Sequence, residues 1–204
     1  MNWNLLLVLK HVILCCVCVI GDKLGESAQK PALVRACIDN ATHAFIGCIV
    51  AELVLFNFKH QLTRHEYSWL LFVATIISSC IDLDHFIEAK SFRLQDATNL
   101  DRRPFLHNST ICVVIFILFI LTKRASNQLR MLIAMAFVAF STHHLRDATR
   151  RGIWFKSPFQ NSSSSAVPYV LYIAYVNIIP SVIVYLLQTT GSSTVPKMKL
   201  VEVV

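Results

Sequence analysis

Charged residues are scarce in this chain of 204 residues: Asp, Glu, Lys and Arg make up 15% of it, whereas 55% is hydrophobic. A soluble domain of this size needs far more charge to keep its surface solvated. The scarcity of charge therefore excludes an ordinary soluble globular protein. A mean hydropathy of +0.56 agrees, and the composition predicts an integral, multi-pass membrane protein.

Features of a nucleic-acid-binding protein are also absent from the sequence. The formal net charge is +7, but the basic residues stand in short stretches between apolar runs. The chain has no platform that combines aromatic and basic residues in the manner of RNA-binding domains. Basic residues between apolar runs favour membrane lipids or a phosphorylated substrate as partners. We therefore expect lipid contacts and no nucleic acid, and the sequence identifies no protein partner.

The cysteines do not indicate a disulfide framework. Cysteines inside apolar runs are typically small buried hydrophobic residues, and six of the seven are of this kind: Cys15, Cys16, Cys18, Cys48, Cys80 and Cys112. The first apolar run also lacks a preceding basic segment and a cleavage site of small residues. We therefore interpret that run as a membrane anchor and not as a removed signal peptide.

Six apolar runs alternate with polar segments along the chain. This pattern predicts an all-α fold, a polytopic helical membrane bundle of about six transmembrane helices. The runs cover residues 5–21, 42–58, 67–81, 109–122, 129–142 and 168–188.

The runs also predict the domain organisation. We expect a single integral membrane domain, in an endomembrane such as the endoplasmic reticulum. Its predicted parts are the whole chain 1–204 with a core at 41–188, loops at 22–40 and 160–167, and a flexible C-terminal tail at 189–204.

The third, fourth and fifth runs are shorter than the roughly 20 residues that cross a hydrocarbon core, so their helices must extend into polar flanks. Extending the fourth run backwards reaches Pro104, a favourable first helical residue. Extending the third and fifth runs forwards passes acidic residues and histidines. The polar residues gained in this way are Asp82, Asp84 and His85, then His107, then His143, His144 and Asp147.

Alternation of the runs places these residues at one end of the bundle, which we call face A. It is the end where the first, third and fifth runs finish and the second and fourth begin, and His43 lies at the start of the second. The opposite end is face B. Because every strong ligand residue of runs two to five falls at face A, we expect these side chains to meet there.

Spacing within the motifs favours metal binding. His143 and Asp147 are four residues apart and share one side of a helix, as do Asp82 and His85. Asp82 and Asp84 cannot share a side, because two positions correspond to about 200° of rotation. One carboxylate is therefore expected on a metal, and the other in a supporting position or on a second ion.

Imidazole and carboxylate ligands together suit zinc, manganese or iron. A divalent metal, zinc or manganese, is therefore the predicted cofactor. The arginines of the same face are expected to clamp an anionic group. The predicted metal ligands are His43, Asp82, His85, His107, His143 and Asp147, and the predicted catalytic residues are Asp84, Arg103 and Arg150.

The ordered motifs "HAFIG", "DLDH", "RRPFLHNS" and "THHLRDATRRGIW" resemble those of bacterial membrane-bound metal-dependent hydrolases of the LexA-regulated type. The resemblance runs from about His43 to Phe159. It implies that His43, Asp82, Asp84, His107, His143 and Asp147 match the family's conserved pattern. The chain departs from that pattern at Arg102 or Arg103, which stands where the family has a histidine. The chain also closely resembles an uncharacterised multi-pass protein of animals.

Three functions from different classes fit these observations. The first is a metal-dependent hydrolase that acts on a lipid or phosphoester at face A. The second is a non-catalytic membrane scaffold or assembly protein, and the third is a metal or proton transporter. A lipid phosphatase with a histidine nucleophile ranks last, because the serine-glycine-histidine element of such enzymes is missing. Clustering at one face favours the enzyme, since transporters normally bind near the midplane.

Overall fold

The computed structural model describes residues 3–156 and 161–189. The described residues are mostly helical, which confirms the predicted all-α membrane fold. Its helices are α1 (Trp3–Gly25), α2 (Ala32–Leu55), α3 (Arg64–Cys80), α4 (Asp84–Ala89), α5 (Leu94–Thr98), α6 (Thr110–Leu121), α7 (Asn127–Arg151) and α8 (Tyr169–Thr189). A two-stranded antiparallel sheet pairs β1 (Trp154–Lys156) with β2 (Asn161–Ser163).

Short 3-10 turns extend several helices. One turn at Phe56–Phe58 continues α2, and another at Ile81–Leu83 joins α3 directly to α4. The predicted forward extension of the third run is therefore confirmed, because helical structure continues past Cys80 to Ala89. The predicted backward extension of the fourth run is wrong. Pro104 precedes a 3-10 turn, and α6 begins only at Thr110.

Within the described ranges, four helical stretches are long and apolar enough to cross a membrane: Asn4–Gly25, Ala32–Phe58, Arg64–Ala89 and Tyr169–Thr189. The predicted fourth and fifth runs correspond to α6 and α7, which do not meet this criterion. The α-helical part of α6 has only 12 residues. Helix α7 is long enough, but its C-terminal half is polar, because it contains "THHLRDATRR".

The polar helix α7 lies inside the bundle. It packs against α2, α3, α6 and α8, and even its charged residues Arg130 and Arg146 are buried. Polar groups at membrane depth are tolerated when they face protein instead of lipid. The apolar residues of α1 and α6, by contrast, stay widely exposed on the outside of the bundle. The core position of α7 thus explains how a helix that carries four arginines and an aspartate can belong to a membrane bundle.

Glycine allows α2 to approach α3 closely. A Cβ atom on Gly47 would lie 2.6 Å from the Cβ of Ser78, so a larger residue would push the helices apart. Close contacts of this kind are typical of helix pairs in membranes. At this contact the Ser78 hydroxyl donates a hydrogen bond to the His43 carbonyl over 2.8 Å. The approach fixes His43 against α3 near face A.

A polar network joins the helices near face B. The Lys10 ammonium lies 2.7 Å from the Glu52 carboxylate, and the Tyr67 hydroxyl donates to the same carboxylate oxygen over 2.9 Å. The ammonium also lies 3.4 Å from the centre of the Phe56 ring. A carboxylate within a membrane helix is costly unless it is paired. Here one carboxylate ties α1, α2 and α3 together.

The predicted loops are shorter than expected. Within 22–40, α1 continues to Gly25 and α2 begins at Ala32, so only residues 26–31 connect them. Within 160–167, residues 161–163 form β2. The predicted tail overlaps the end of α8 at Thr189, and its other residues lie outside the described part of the chain.

We expect Glu52→Ala to lower the free energy of unfolding by about 1–3 kcal/mol, because it leaves a half-buried ammonium without its carboxylate. Thermal unfolding in detergent micelles measures this loss. The double variant Lys10→Met/Glu52→Leu should recover part of the stability, because both polar partners are then replaced by apolar groups. Lys123→Met, at an exposed lysine, is the control and should change little. Equal stability of Glu52→Ala and the wild type would contradict a stabilising role for the network.

Candidate metal centre

The residues predicted from separate motifs meet at face A. They come from α2, from the junction of α3 and α4, from the 3-10 turn before α6, and from the C-terminal half of α7. Among the residues that the structure describes, two groups are close enough together to hold a metal ion. One comprises His43, Asp82, His143 and Asp147, and the other comprises Asp82, His85 and His107.

Helix α7 presents His143 and Asp147 one turn apart, with His143 Nε2 at 3.6 Å from Asp147 Oδ2. The His143 ring is fully buried, and its Nδ1 lies 2.9 Å from the carbonyl oxygen of Ser78. Because a carbonyl can only accept, Nδ1 carries the proton and donates it. The lone pair of Nε2 therefore faces the cluster.

Asp82 lies in the 3-10 turn that joins α3 to α4. Its Oδ1 atom is 3.4 Å from His143 Nε2 and 3.3 Å from His107 Nε2. The turn thus directs this carboxylate towards two imidazoles that belong to different segments. Asp84, two residues later, points towards another side of His107.

His107 belongs to an irregular segment, which hydrogen bonds to its neighbours hold in place. The amide of Leu106 donates to Asp84 Oδ2 over 2.6 Å, and the carbonyl of Leu106 accepts from His144 Nε2 over 2.7 Å. The Ser109 amide donates to the carbonyl of Trp154 over 2.8 Å. His144 is therefore a structural residue that anchors the segment, and its neighbour His143 faces the cluster.

Asp84 orients the His107 ring. Its Oδ1 atom lies 3.2 Å from His107 Nδ1, so the Nε2 atom of the ring is left for the cluster. Burial lowers the pKa of His107, but the hydrogen bonds that its ring donates to Asp147, Asp82 and Asp84 outweigh burial and raise that pKa to about 11. The carboxylates around this imidazole therefore strongly favour positive charge at the centre of the cluster.

Four atoms of the cluster form a compact set: Asp82 Oδ1, His107 Nε2, His143 Nε2 and Asp147 Oδ2. Five of the six distances between them are 3.3, 3.3, 3.4, 3.4 and 3.6 Å. Tetrahedral ligands about 2.1 Å from one cation are about 3.4 Å apart. The spacing is thus that of side chains around a first-row metal ion.

His43 lies at the inner edge of the set. Its ring stacks on the His143 ring with centroids 3.7 Å apart, and its Nε2 is 3.3 Å from Asp147 Oδ1. The residue is only 2% exposed, and among the described residues this nitrogen has no hydrogen-bond partner. A buried polar atom without a partner is costly, and a cation beside it would remove that cost.

His85 lies at the opposite edge. Its Nδ1 is 3.4 Å from Asp84 Oδ1, and its ring meets the His107 ring edge-on at 4.6 Å. Asp84 therefore contacts two imidazoles through one oxygen. This placement of Asp84 is suited to orienting the rings of His85 and His107.

The predicted anion clamps have partners in the protein. Arg150 Nη2 lies 3.0 Å from Asp39 Oδ1 and 3.3 Å from Asp147 Oδ1. The Arg103 guanidinium donates to the carbonyls of Arg151 and Gly152, at the end of α7. Arg103 thereby holds the segment before His107 against α7.

Sequence reasoning missed a second ion-pair layer behind the cluster. Arg146 is 1% exposed and contacts Asp22 Oδ1 at 2.7 Å and Asp39 Oδ1 at 2.8 Å. It therefore joins α7 to both α1 and α2. The sequence contains a pattern that indicates part of this layer. Asp39 precedes His43 by four residues, the same spacing as His143 and Asp147, so a helix would place Asp39 beside His43. The prediction of a loop over residues 22–40 hides this signal, because Asp39 belongs to α2.

The cluster is reached through a pocket at face A. His107 and Asp147 line its inner part together with Arg103 and Trp154. Arg103 and Trp154 also line an adjoining cleft of about 410 Å³, whose other walls include Arg102, Phe105 and Glu88. The pocket and the cleft share Arg103 and Trp154, and two of the candidate ligands line the pocket.

The chain is similar to animal proteins named transmembrane protein 267. The relative from Xenopus laevis is 33% identical over 182 residues, covering 86% of this chain and 80% of the relative. The relative from Mus musculus is 31% identical with the same coverage, and that from Danio rerio is 32% identical, covering 78% and 70%. No family model matches the chain, so the resemblance to bacterial hydrolases rests on the short motifs. No solved structure matches it either.

We expect Arg146→Met to destabilise the bundle strongly, because it leaves Asp22 without a guanidinium and Asp39 with that of Arg150 alone. Breaking a buried ion pair costs about 3–5 kcal/mol, and the lower end applies here because the Asp39 side chain is 29% exposed. Thermal unfolding in detergent measures the loss. Arg151→Met changes an exposed arginine of the same helix and serves as the control. A loss no larger than that of the control would rule out the clamp.

Proposed function

The chain belongs to the transmembrane protein 267 family, and we propose that it is a membrane-embedded hydrolase that depends on a divalent metal and cleaves a phosphoester at face A. The metal is zinc or manganese. Membrane lipids surround the protein and include the proposed substrate, and an endomembrane such as the endoplasmic reticulum is its proposed location.

The observation that carries this proposal is the convergence of imidazole and carboxylate atoms at ligand spacing. They come from four parts of the chain, and His43 lies beside them, with its Nε2 near Asp147 but without a well-aligned hydrogen bond among the described residues. Mixed nitrogen and oxygen ligands suit zinc, manganese and iron. The bonds of His107 Nδ1 with Asp84 and of His143 Nδ1 with Ser78 are the supporting contacts that ligating histidines almost always make.

A divalent metal held by these residues would supply Lewis-acid chemistry: it would lower the pKa of a bound water to about 7 and polarise a phosphoryl oxygen. The protein contributes position and access. Asp82 and Asp147 have side chains that are 24% and 23% exposed, so the cluster is open towards the pocket. Asp84 keeps His107 in one tautomer and orientation, and we assign it a positioning role.

The cleft beside the pocket favours an anionic substrate with an apolar part. Arg102 and Arg103 line it together with Phe105 and Trp154. Phe105 is 69% exposed, which is suited to contact with acyl chains, while guanidinium groups bind phosphate oxygens well. Arg150, at the other edge of the cluster, holds Asp147 and Asp39 in place.

The interior of the bundle argues against the transporter alternative. Between His43 and the Glu52 network, the buried residues of α2 are apolar, namely Ile46, Gly47, Val50 and Ala51. In α7, two buried polar residues, Ser141 and Thr142, adjoin the cluster, and the buried residues from Ala139 back to Met131 are apolar. Transporters keep their polar sites near the midplane, whereas this cluster lies towards one end of the helices.

The proposal predicts bound metal in the purified protein. Elemental analysis of wild-type protein in detergent should find zinc or manganese, and His143→Ala should lose it, because the variant removes a buried ligand. His65→Ala, at an exposed histidine near face B, is the control and should keep the metal. Hydrolysis of a phosphoester lipid in mixed micelles should stop on chelation and return when metal is added. Wild-type protein without metal would support the scaffold alternative.

Asp84→Asn tests the positioning role separately. An amide of the same size cannot hold two imidazoles by charge, so we expect metal affinity to fall about 10–100-fold. Competition with a chromophoric chelator measures the affinity. The conservative variant Asp84→Glu should restore part of it. Unchanged affinity in Asp84→Asn would show that this carboxylate does not support the ligands.

A further inference from the structure

We propose that the cluster holds two cations, bridged by the carboxylate of Asp82. This inference rests on the proposed function and specifies its metal centre. One cation lies among His43, His143 and Asp147, and the other lies beside His85 and His107.

The first argument is the division of the ligands. The two groups with metal-ligand geometry share only Asp82. His43 stacks on His143 at one edge, and His85 packs against His107 at the other, so neither outer histidine belongs to both groups. One cation could not use all six side chains, whereas two cations could use them all. A carboxylate with two oxygens is suited to bridge ions that lie about 3.5–4 Å apart.

The second argument is charge. Asp22 and Asp39 contact the guanidinium of Arg146, and Arg150 reaches Asp39 and Asp147. Among the ion pairs of the described residues, Asp82 and Asp84 contact only imidazoles.

Three carboxylates therefore meet in the cluster, those of Asp82, Asp84 and Asp147. The guanidinium of Arg150 contacts one of them, Asp147, and it also contacts Asp39. A buried carboxylate without a compensating charge is costly. Two divalent cations would supply four positive charges, which neutralise the three carboxylates and leave one positive charge to attract an anionic substrate.

The third argument is open coordination. If Asp82, His107, His143 and Asp147 all bound one zinc ion, its tetrahedral positions would be filled, which is typical of structural sites. Dividing these residues between two ions leaves positions open on the ion beside His85 and His107. The pocket is lined by His107 and Asp147, one ligand of each ion. Two such ions can hold the attacking and leaving oxygens of a phosphoester displacement.

Asp84 supports the second ion in particular. It contacts the Nδ1 atoms of both His85 and His107, which leaves both Nε2 atoms for one cation. The group of His43, Asp82, His143 and Asp147 does not rely on Asp84, because its His143 ring is oriented by a hydrogen bond to the Ser78 carbonyl. Separate supports for the two groups make it possible to remove one ion and retain the other.

The test is metal stoichiometry together with magnetic coupling in full-length protein in detergent. Metal-free protein reloaded with Mn²⁺ should bind two ions per chain, and electron paramagnetic resonance should show a coupled pair. His85→Ala should bind one ion per chain and give the signal of isolated Mn²⁺. His65→Ala is the matched control and should keep both ions and their coupling. The measurement on wild-type protein does not depend on the folding of any variant.

The outcomes separate this inference from the proposed function. One uncoupled ion in the wild type, unchanged in His85→Ala, would overturn the two-ion centre and leave a metal-dependent hydrolase standing. The absence of any bound ion in the wild type would overturn both. Two coupled ions that persist in His85→Ala would overturn the assignment of His85 as a ligand, and with it the proposed second site.

Discussion

The whole arrangement depends on charge buried at the C-terminal half of α7. Arg146 is almost inaccessible to solvent, and the carboxylates of Asp22 and Asp39 lie within hydrogen-bonding distance of it. A guanidinium in such a place would be prohibitively costly without these partners. Because the partners belong to α1 and α2, the same interaction that makes α7 tolerable inside the bundle also sets its position relative to both helices. Because Asp147 follows Arg146 directly in α7, the same interaction also fixes where Asp147 lies.

The cluster is built partly from rigid and partly from irregular structure. Close packing at Gly47 and Ser78 fixes the backbone beside His43 and His143, so these two rings stack at the contact of three helices. His107, by contrast, is held by a chain of single hydrogen bonds around Leu106. Helices are more exact supports than loops. The first group of ligands is therefore expected to be more rigid than the second.

Much of the face A cluster could be predicted, because a membrane imposes length and direction on helices. The short third and fifth runs required polar extensions, and α3, α4 and α7 do extend in that way. The pair His143 and Asp147 follows from helical spacing alone. The course of the chain around Pro104 could not be predicted, because tertiary hydrogen bonds to Asp84 and His144 hold that segment out of a helix. The ion pair of Asp22 with Arg146 joins residues far apart in sequence, and no local pattern indicates such a contact.

The shortness of α6 has a consequence for the surrounding lipid. Its 12 residues span about 18 Å, whereas a hydrocarbon core is about 30 Å thick. Such hydrophobic mismatch is relieved when the bilayer thins locally around the short helix. The thinning would occur beside Thr110, just after His107, and would draw water and phospholipid headgroups down towards the cluster. A deformation of the membrane, in place of any movement of the protein, would then deliver the polar part of a lipid to the buried ligands.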